Sequence, residues 1–410
     1  MHRLLRGVPL ASVPLLIAYG CTQSGGSEQA PPVDAAARVP QPDANQAGPP
    51  SPDQDADDGP EGPSIRYIGR FDTQEPDAPR CGWPGCRVIA NFQGSEVSVT
   101  LTEHVDDWMV GGPSEWDYAI DGQWQPKLVL AIGQQKISLG TKLGPGQHTV
   151  ELYKRSEAQT GVTEFDGFDF GTDGVLLSPP RRKKRTIEMV GDSMMTGFGV
   201  NGVGPDCPDS NQAAEWADFH ISFGALLGQT FDADVYGTAY SGKGITKNIW
   251  RPDPWTMPLI FPLANPIDPH TPFDFKGYSP DILIVGIGGL DFAVGQPVDD
   301  GPAVLSDFIA GYLAFLGQLR KTYPNAQILC IIGPGIDDGE PNVIRDSVMA
   351  GVSGAVEGAK RNGDTKVSYF WPSNSQSIAE VSGCDGHGNP SFHQRVAREL
   401  APVVSALMGW

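Results

Sequence analysis

A serine acts as a nucleophile only where its hydroxyl is exposed and a base stands within hydrogen-bond reach. Thr186-Ile-Glu-Met-Val190 runs directly into Gly191-Asp192-Ser193, an apolar strand ending in a tight turn that would lift the Ser193 hydroxyl at the strand's carboxyl end. The Ser193 N–H would then point to where an oxyanion forms. Taken alone, these three residues describe an Asp-Ser helix cap better than a reactive site, so the assignment depends on a partner. Seven histidines are present, and His387 is distinguished by Asp385 two residues before it, in a Gly-rich loop leading into the last helical stretch. At that separation an Asp carboxylate can reach the imidazole Nδ1, fix the tautomer and stabilise the imidazolium formed during attack. His393, within Phe392-His-Gln-Arg-Val-Ala, reads as a structural residue of a helix. No histidine pair at helical spacing encloses an acid, so nothing suggests a metal site.

These residues need a scaffold. After Arg185, compact apolar runs at 186–190, 232–238, 281–288, 326–332 and 366–371 alternate with helical stretches at about 211–229, 304–322, 341–361 and 390–408. Buried strands alternating with amphipathic helices predict an α/β domain over 186–410, a parallel sheet covered on both faces with its reactive groups at the carboxyl ends of the strands. Residues 64–180 differ. Short β-branched or alternating runs, such as 88–92, 97–101, 118–120, 128–132 and 149–153, are separated by Gly, Pro and Asp, the pattern of an antiparallel β-sandwich. Between the two lies Pro179-Pro-Arg-Arg-Lys-Lys-Arg185, a basic run flanked by prolines that reads as a solvated linker.

The chain of 410 residues has room for two to three domains. With 29 Lys and Arg against 49 Asp and Glu, its formal charge of −20 excludes nucleic acid as a partner, because a phosphate backbone would be repelled. Residues 1–21 read as an export signal: two arginines precede an apolar run too short to span a bilayer, and Ala18-Tyr-Gly-Cys21 resembles a lipobox. Lipidation of Cys21 would anchor the protein to the outer membrane or cell surface; otherwise it is secreted. Residues 22–63 hold nine prolines and eight acids against one Arg and cannot bury enough apolar area to fold, so they form a disordered spacer. An exported chain permits disulfides. Cys81 can pair with Cys86, Cys207 with Cys384, and Cys330 lies in an apolar run as a buried thiol.

The blocks together resemble the SGNH (GDSL) hydrolases: Gly-Asp-Ser after the first strand, Ser241-Gly-Lys-Gly244 after the second, and Asp385-Gly-His387 before the last helix. More specifically, a jelly-roll-like sandwich followed by an SGNH domain resembles carbohydrate esterase family 2, whose members remove acetyl groups from polysaccharides. That likeness covers 65–410 and includes Ile68-Gly-Arg-Phe71, Gly82-Trp-Pro-Gly85, Tyr153-Lys-Arg-Ser-Glu157 and Gly409-Trp410. It implies Ser193 as nucleophile, His387 as general base and then acid, Asp385 as the orienting carboxylate, and the N–H groups of Ser193 and Gly242 as oxyanion donors. The family's third donor is the Asn of a Gly-x-Asn-Asp block. Here that block reads Gly288-Gly-Leu-Asp291, and Leu290, which cannot donate, occupies the Asn position. Losing such a donor typically costs about 2.7–4 kcal/mol of transition-state stabilisation.

The resemblance therefore implies an exported serine esterase that deacetylates an acetylated polysaccharide or oligosaccharide without metal or cofactor. Two alternatives stay open: a surface glycan-binding or scaffold protein impaired through Leu290, or an esterase acting on a lipid or other acyl ester. Trp250 and Trp255 either offer aromatic faces to a sugar ring or pack beneath a Pro-rich loop.

Overall fold

The computed structural model describes residues 62–109, 111–202, 204, 207, 214–332, 343–373 and 378–410. The leader, Cys21 and all but the end of the spacer lie outside these residues. Two antiparallel sheets form the N-terminal layer. One contains Arg66–Ile68, Arg87–Gln93, Gln147–Lys154, Glu115–Ile120 and Gln123–Trp124 in that order, with two short edge pairings; the other contains Arg80–Cys81, Val162–Asp169, Glu96–His104 and Gly133–Thr141. The alternation read from the sequence is the packing. Along Glu96–His104, residues Val97, Val99, Leu101 and Glu103 point inward while their neighbours are partly or fully exposed.

The C-terminal layer is a parallel sheet of β1 (Arg185–Gly191), β2 (Ala233–Ala239), β3 (Ile282–Gly286), β4 (Gln327–Ile331) and β5 (Val367–Phe370), ordered β2-β1-β3-β4-β5. All five correspond to apolar runs in the sequence. The order reverses between β1 and β3, and ligands of open α/β sheets bind outside the carboxyl ends of the strands at such a switch point. Around it stand α1 (Ser193–Thr196), α2 (Phe223–Phe231), α3 (Gly289–Phe292), α4 (Leu305–Thr322), α5 (Val343–Arg361) and α6 (Pro390–Met408). One expected helix is shorter than its pattern. Within 211–229, the described residues form two 3-10 turns, Ala214–Trp216 and Phe219–Ile221, before α2 begins. Asp218 and Ser222 each cap a new start with their side chains, and so divide an apolar stretch into three pieces.

The sandwich and the parallel sheet share a buried polar seam. Glu188, in the middle of β1 and 0% exposed, pairs with Arg70, 1% exposed, from the sandwich at 2.6 Å. The same carboxylate accepts from Thr238 Oγ1 at 2.6 Å and Tyr278 at 3.2 Å, while Arg70 also donates to the Phe261 carbonyl. A charge at the centre of a sheet covered on both faces requires such compensation. Arg155 adds an ion pair to Asp218 at 2.9 Å, and Trp83 Nε1 donates to the Leu263 carbonyl at 3.2 Å. The basic run before β1 is not wholly solvated: Arg185 donates to the Phe231 carbonyl and lies over the ring of Trp410, 5.1 Å from its centroid. No helix among the described residues is long and apolar enough to cross a membrane.

Candidate active site

Ser193 is placed by the end of β1. Gly191 lets β1 approach β3 closely, since a Cβ there would sit 2.0 Å from the Gly286 carbonyl oxygen. Asp192 is the N-cap of α1, its side chain accepting from the Met194 N–H at 3.1 Å, and Gly197 at φ 72° closes the turn. The cap and the exposed serine suggested by Gly-Asp-Ser therefore coexist: the aspartate caps and the serine projects. Ser193 Oγ lies 2.8 Å from His387 Nε2, joining residues 194 positions apart.

The partner of His387 Nδ1 is the backbone carbonyl of Cys384 at 3.0 Å, not the Asp385 carboxylate. This corrects the expected orienting role of Asp385. Its backbone adopts φ 54°, ψ 34° inside the 3-10 turn Cys384–Gly386, and its side chain is exposed, whereas the carbonyl one residue earlier receives both the ring nitrogen and the His387 N–H at 3.0 Å. Because a carbonyl only accepts, Nδ1 carries the proton. Nε2 is then left as the acceptor of the serine hydroxyl, the tautomer a general base needs. Burial lowers the His387 pKa, and the nearby Asp385 charge opposes that effect from a distance. The ring also rests against Phe198, centroids 4.6 Å apart.

Gly242 follows β2 at φ 83°, a left-handed conformation suited to glycine. Within 241–247, each other backbone N–H has a partner. Ser241 donates to Glu157 Oε2 at 2.6 Å, Lys243 to the Tyr240 carbonyl at 3.4 Å, and Gly244 to Asn248 Oδ1 at 3.0 Å. Ile245, Thr246 and Lys247 all donate to Asp291, at 2.9, 2.6 and 3.0 Å. Gly242, partly exposed, is the one N–H of this stretch without an acceptor among the described residues, and the Ser193 N–H is likewise unengaged. Asp291 is thus an anchor of the loop, and burial raises its pKa against those donors. Leu290 beside it is partly buried on α3, which follows β3 at the switch point. Trp250 and Trp255 are 49% and 42% exposed on the loop after Gly242.

Both expected disulfides are present. Cys207–Cys384 reaches the turn that holds His387, Cys81–Cys86 lies in the sandwich, and Cys330 is buried and unpaired. No group of three metal-ligating side chains occurs among the described residues. Sequence reasoning missed Glu157 and the Cys384 carbonyl. An acid shortly beyond a strand end, in Tyr153-Lys-Arg-Ser-Glu157, was the available signal for the first; no side chain marks the second.

A serine–histidine pair over the carboxyl ends of a β2-β1-β3-β4-β5 parallel sheet, with Gly-Asp-Ser at the first strand, defines an SGNH hydrolase fold. Residues 67–180 match the family model for the carbohydrate esterase 2 N-terminal domain. The chain is 31% identical over 280 residues to an acetylxylan esterase / glucomannan deacetylase of Cellvibrio japonicus, covering 64% of this chain and 71% of that protein. It is 30% identical over 352 residues to cellulase/esterase CelE of Acetivibrio thermocellus, covering 85% of this chain but only 40% of that longer protein. A family two carbohydrate esterase from Clostridium thermocellum, solved in complex with cellohexaose, aligns with a TM-score of 0.75 at 29% identity over 85% of this chain and 100% of that one. The chain belongs to carbohydrate esterase family 2.

Proposed function

We propose that this protein is an exported serine esterase that removes acetyl groups from a polysaccharide or oligosaccharide. The observation that carries this reading is the 2.8 Å hydrogen bond between Ser193 Oγ and the unprotonated Nε2 of His387. Ser193 attacks the acetyl carbonyl and its proton passes to Nε2. The resulting oxyanion is held by the N–H groups of Ser193 and Gly242. Collapse expels the sugar hydroxyl, which takes the proton from His387. Water then attacks the acetyl-enzyme by the same route, releasing acetate and restoring the serine. The Cys384 carbonyl replaces a carboxylate as the Nδ1 acceptor. It orients the ring but contributes less to an imidazolium than a full negative charge would. The carbohydrate substrate is supported by the family and by the exposed Trp250 and Trp255 near the Gly242 loop. The expected outcome is hydrolysis of an aryl acetate and of an acetylated oligosaccharide by wild type, and none by Ser193→Ala. Equal rates for the two would refute the reading.

Leu290 favours a second reading, a glycan-binding protein with attenuated catalysis. It predicts carbohydrate affinity that persists in Ser193→Ala while wild-type turnover stays low even on aryl acetates.

A further inference from the structure

We infer that Glu157, supplied by the sandwich, is a positioning residue of the oxyanion site: it holds Ser241 and thereby aims the Gly242 N–H. The inference rests on the esterase reading above. Glu157 is 1% exposed and its carboxylate takes both the Ser241 N–H, at 2.6 Å, and the Ser241 hydroxyl. The N–H of Ser241 belongs to the peptide plane immediately before the one that carries the Gly242 N–H. On the far side, the Ile249 N–H donates to the Gly242 carbonyl at 2.9 Å. The donor peptide is therefore fixed from both flanks, once by its own domain and once by the other.

Thr196, in the nucleophile's turn, donates its hydroxyl to the Ser193 carbonyl at 3.0 Å and is close enough to favour the charged form of the Glu157 carboxylate. Glu157 thus holds the Gly242 segment directly and stands near the turn that carries Ser193, the two segments whose N–H groups would have to converge on a single oxygen. The Arg70–Glu188 pair of the seam makes no hydrogen bond to either segment, so cohesion between layers does not by itself require an acid here. Burial is costly for the acid, whose carboxyl is pushed up to about 7 despite the nearby Lys154 and the Ser241 donors. A site that keeps such a group gains geometry rather than stability.

The test compares kcat and KM on an aryl acetate, with melting curves, for wild type, Glu157→Ala, Glu157→Gln, Ser241→Ala and Ser193→Ala. Misaiming one oxyanion donor lowers kcat with little change in KM, so Glu157→Ala is expected to lose about 10- to 100-fold in kcat with KM within about threefold. Glu157→Gln, which keeps an oxygen for the Ser241 N–H, restores most of the rate. Ser241→Ala, which removes only the hydroxyl contact, loses a few-fold in kcat and little in melting temperature. A purely cohesive role would lower the melting temperature while leaving kcat of the folded enzyme unchanged; kcat within threefold of wild type in folded Glu157→Ala would overturn the inference. Should Glu157→Ala not fold, wild-type kcat in both Ser241→Ala and Glu157→Gln overturns it, whereas a loss in Ser241→Ala upholds it. Ser193-dependent turnover retained within threefold of wild type in folded Glu157→Ala defeats this inference alone, whereas wild-type turnover no greater than that of Ser193→Ala defeats the esterase reading and this inference with it.

Discussion

Replacing Leu290 by Asn tests whether the oxyanion site is one donor short. Among the described residues, the N–H groups of Ser193 and Gly242 stand without acceptors around the serine. A third donor preorganised on the developing charge is worth about 2.7–4 kcal/mol, a factor of about 10² to 10³ in kcat. The gain here is expected at or below the lower end, about 10- to 100-fold, because Leu290 is only partly buried and its replacement will be partly solvated. The structural cost is small. Leu290 lies on the four-residue α3, and the backbone there is tied independently: Arg251 donates to the Leu290 carbonyl at 3.4 Å, while Asp291 anchors the neighbouring loop. Losing a half-buried leucine side chain costs about 1 kcal/mol. The assay is kcat on an aryl acetate with a melting curve for each protein, and Ser193→Ala/Leu290→Asn as background. An increase with unchanged KM identifies Leu290 as the attenuating residue. Unchanged or reduced kcat in a variant that melts within a few degrees of wild type would refute the reasoning and show that the catalytic geometry does not use this position.

Three further outcomes follow from the same geometry. Since burial lowers the His387 pKa from its ordinary 6.5, the neutral base persists to lower pH and the acid limb of kcat/KM should fall below 6.5; Asp385→Asn, by removing a charge that raises this pKa, should move the limb lower still with kcat nearly intact, whereas a loss near 10⁴-fold would restore Asp385 as the orienting group. Arg70→Ala leaves Glu188 buried without its cation and is expected to cost about 3–5 kcal/mol by denaturant titration, with Arg70→Met/Glu188→Gln recovering much of it. Cys207→Ala opens a cross-link between residues 177 apart, worth roughly 2–5 kcal/mol, and should lower both melting temperature and kcat because Cys384 supplies the acceptor of His387 Nδ1; unchanged kcat would show that the turn holds its shape unaided.

What could be read from the sequence was what local pattern encodes. Five apolar runs gave five parallel strands because a sheet buried on both faces leaves few other ways to place them, and Gly-Asp-Ser at the end of the first strand marked the serine that stands 2.8 Å from His387 Nε2. The histidine was legible from its own neighbourhood, but its orienting partner was not. A two-residue spacing allows contact without requiring it, and the positive φ of Asp385 turns its side chain outward while the preceding carbonyl turns in. The 211–229 stretch misled for a related reason. Asp218 and Ser222 carry no helical periodicity of their own, yet each offers the backbone an alternative acceptor and restarts the chain. Glu188 was the anomaly most open to deduction: an acid inside Ile-Glu-Met-Val demands a buried cation, although nothing in the sequence says that Arg70, 118 positions away, provides it.

Because the acceptors that hold the 241–247 loop come from both layers, the sandwich and the parallel sheet cannot be treated as a binding module and a catalytic one. Beyond the end of β2 the backbone leaves its ladder, and each N–H that is not given an acceptor is either a buried cost or an available donor. Asp291, on the short helix α3 that follows β3, takes three of them; Asn248 and Tyr240 take two locally; Glu157, from the sandwich, takes Ser241. Among the described residues the pattern stops at Gly242, just past the strand that neighbours the one carrying Ser193. Removing the sandwich would free the Ser241 N–H and hydroxyl together, and a loop with several competing free donors no longer singles out one direction for an anion. Selection of a single donor is a property of the whole set of acceptors, and one member of that set belongs to the other domain.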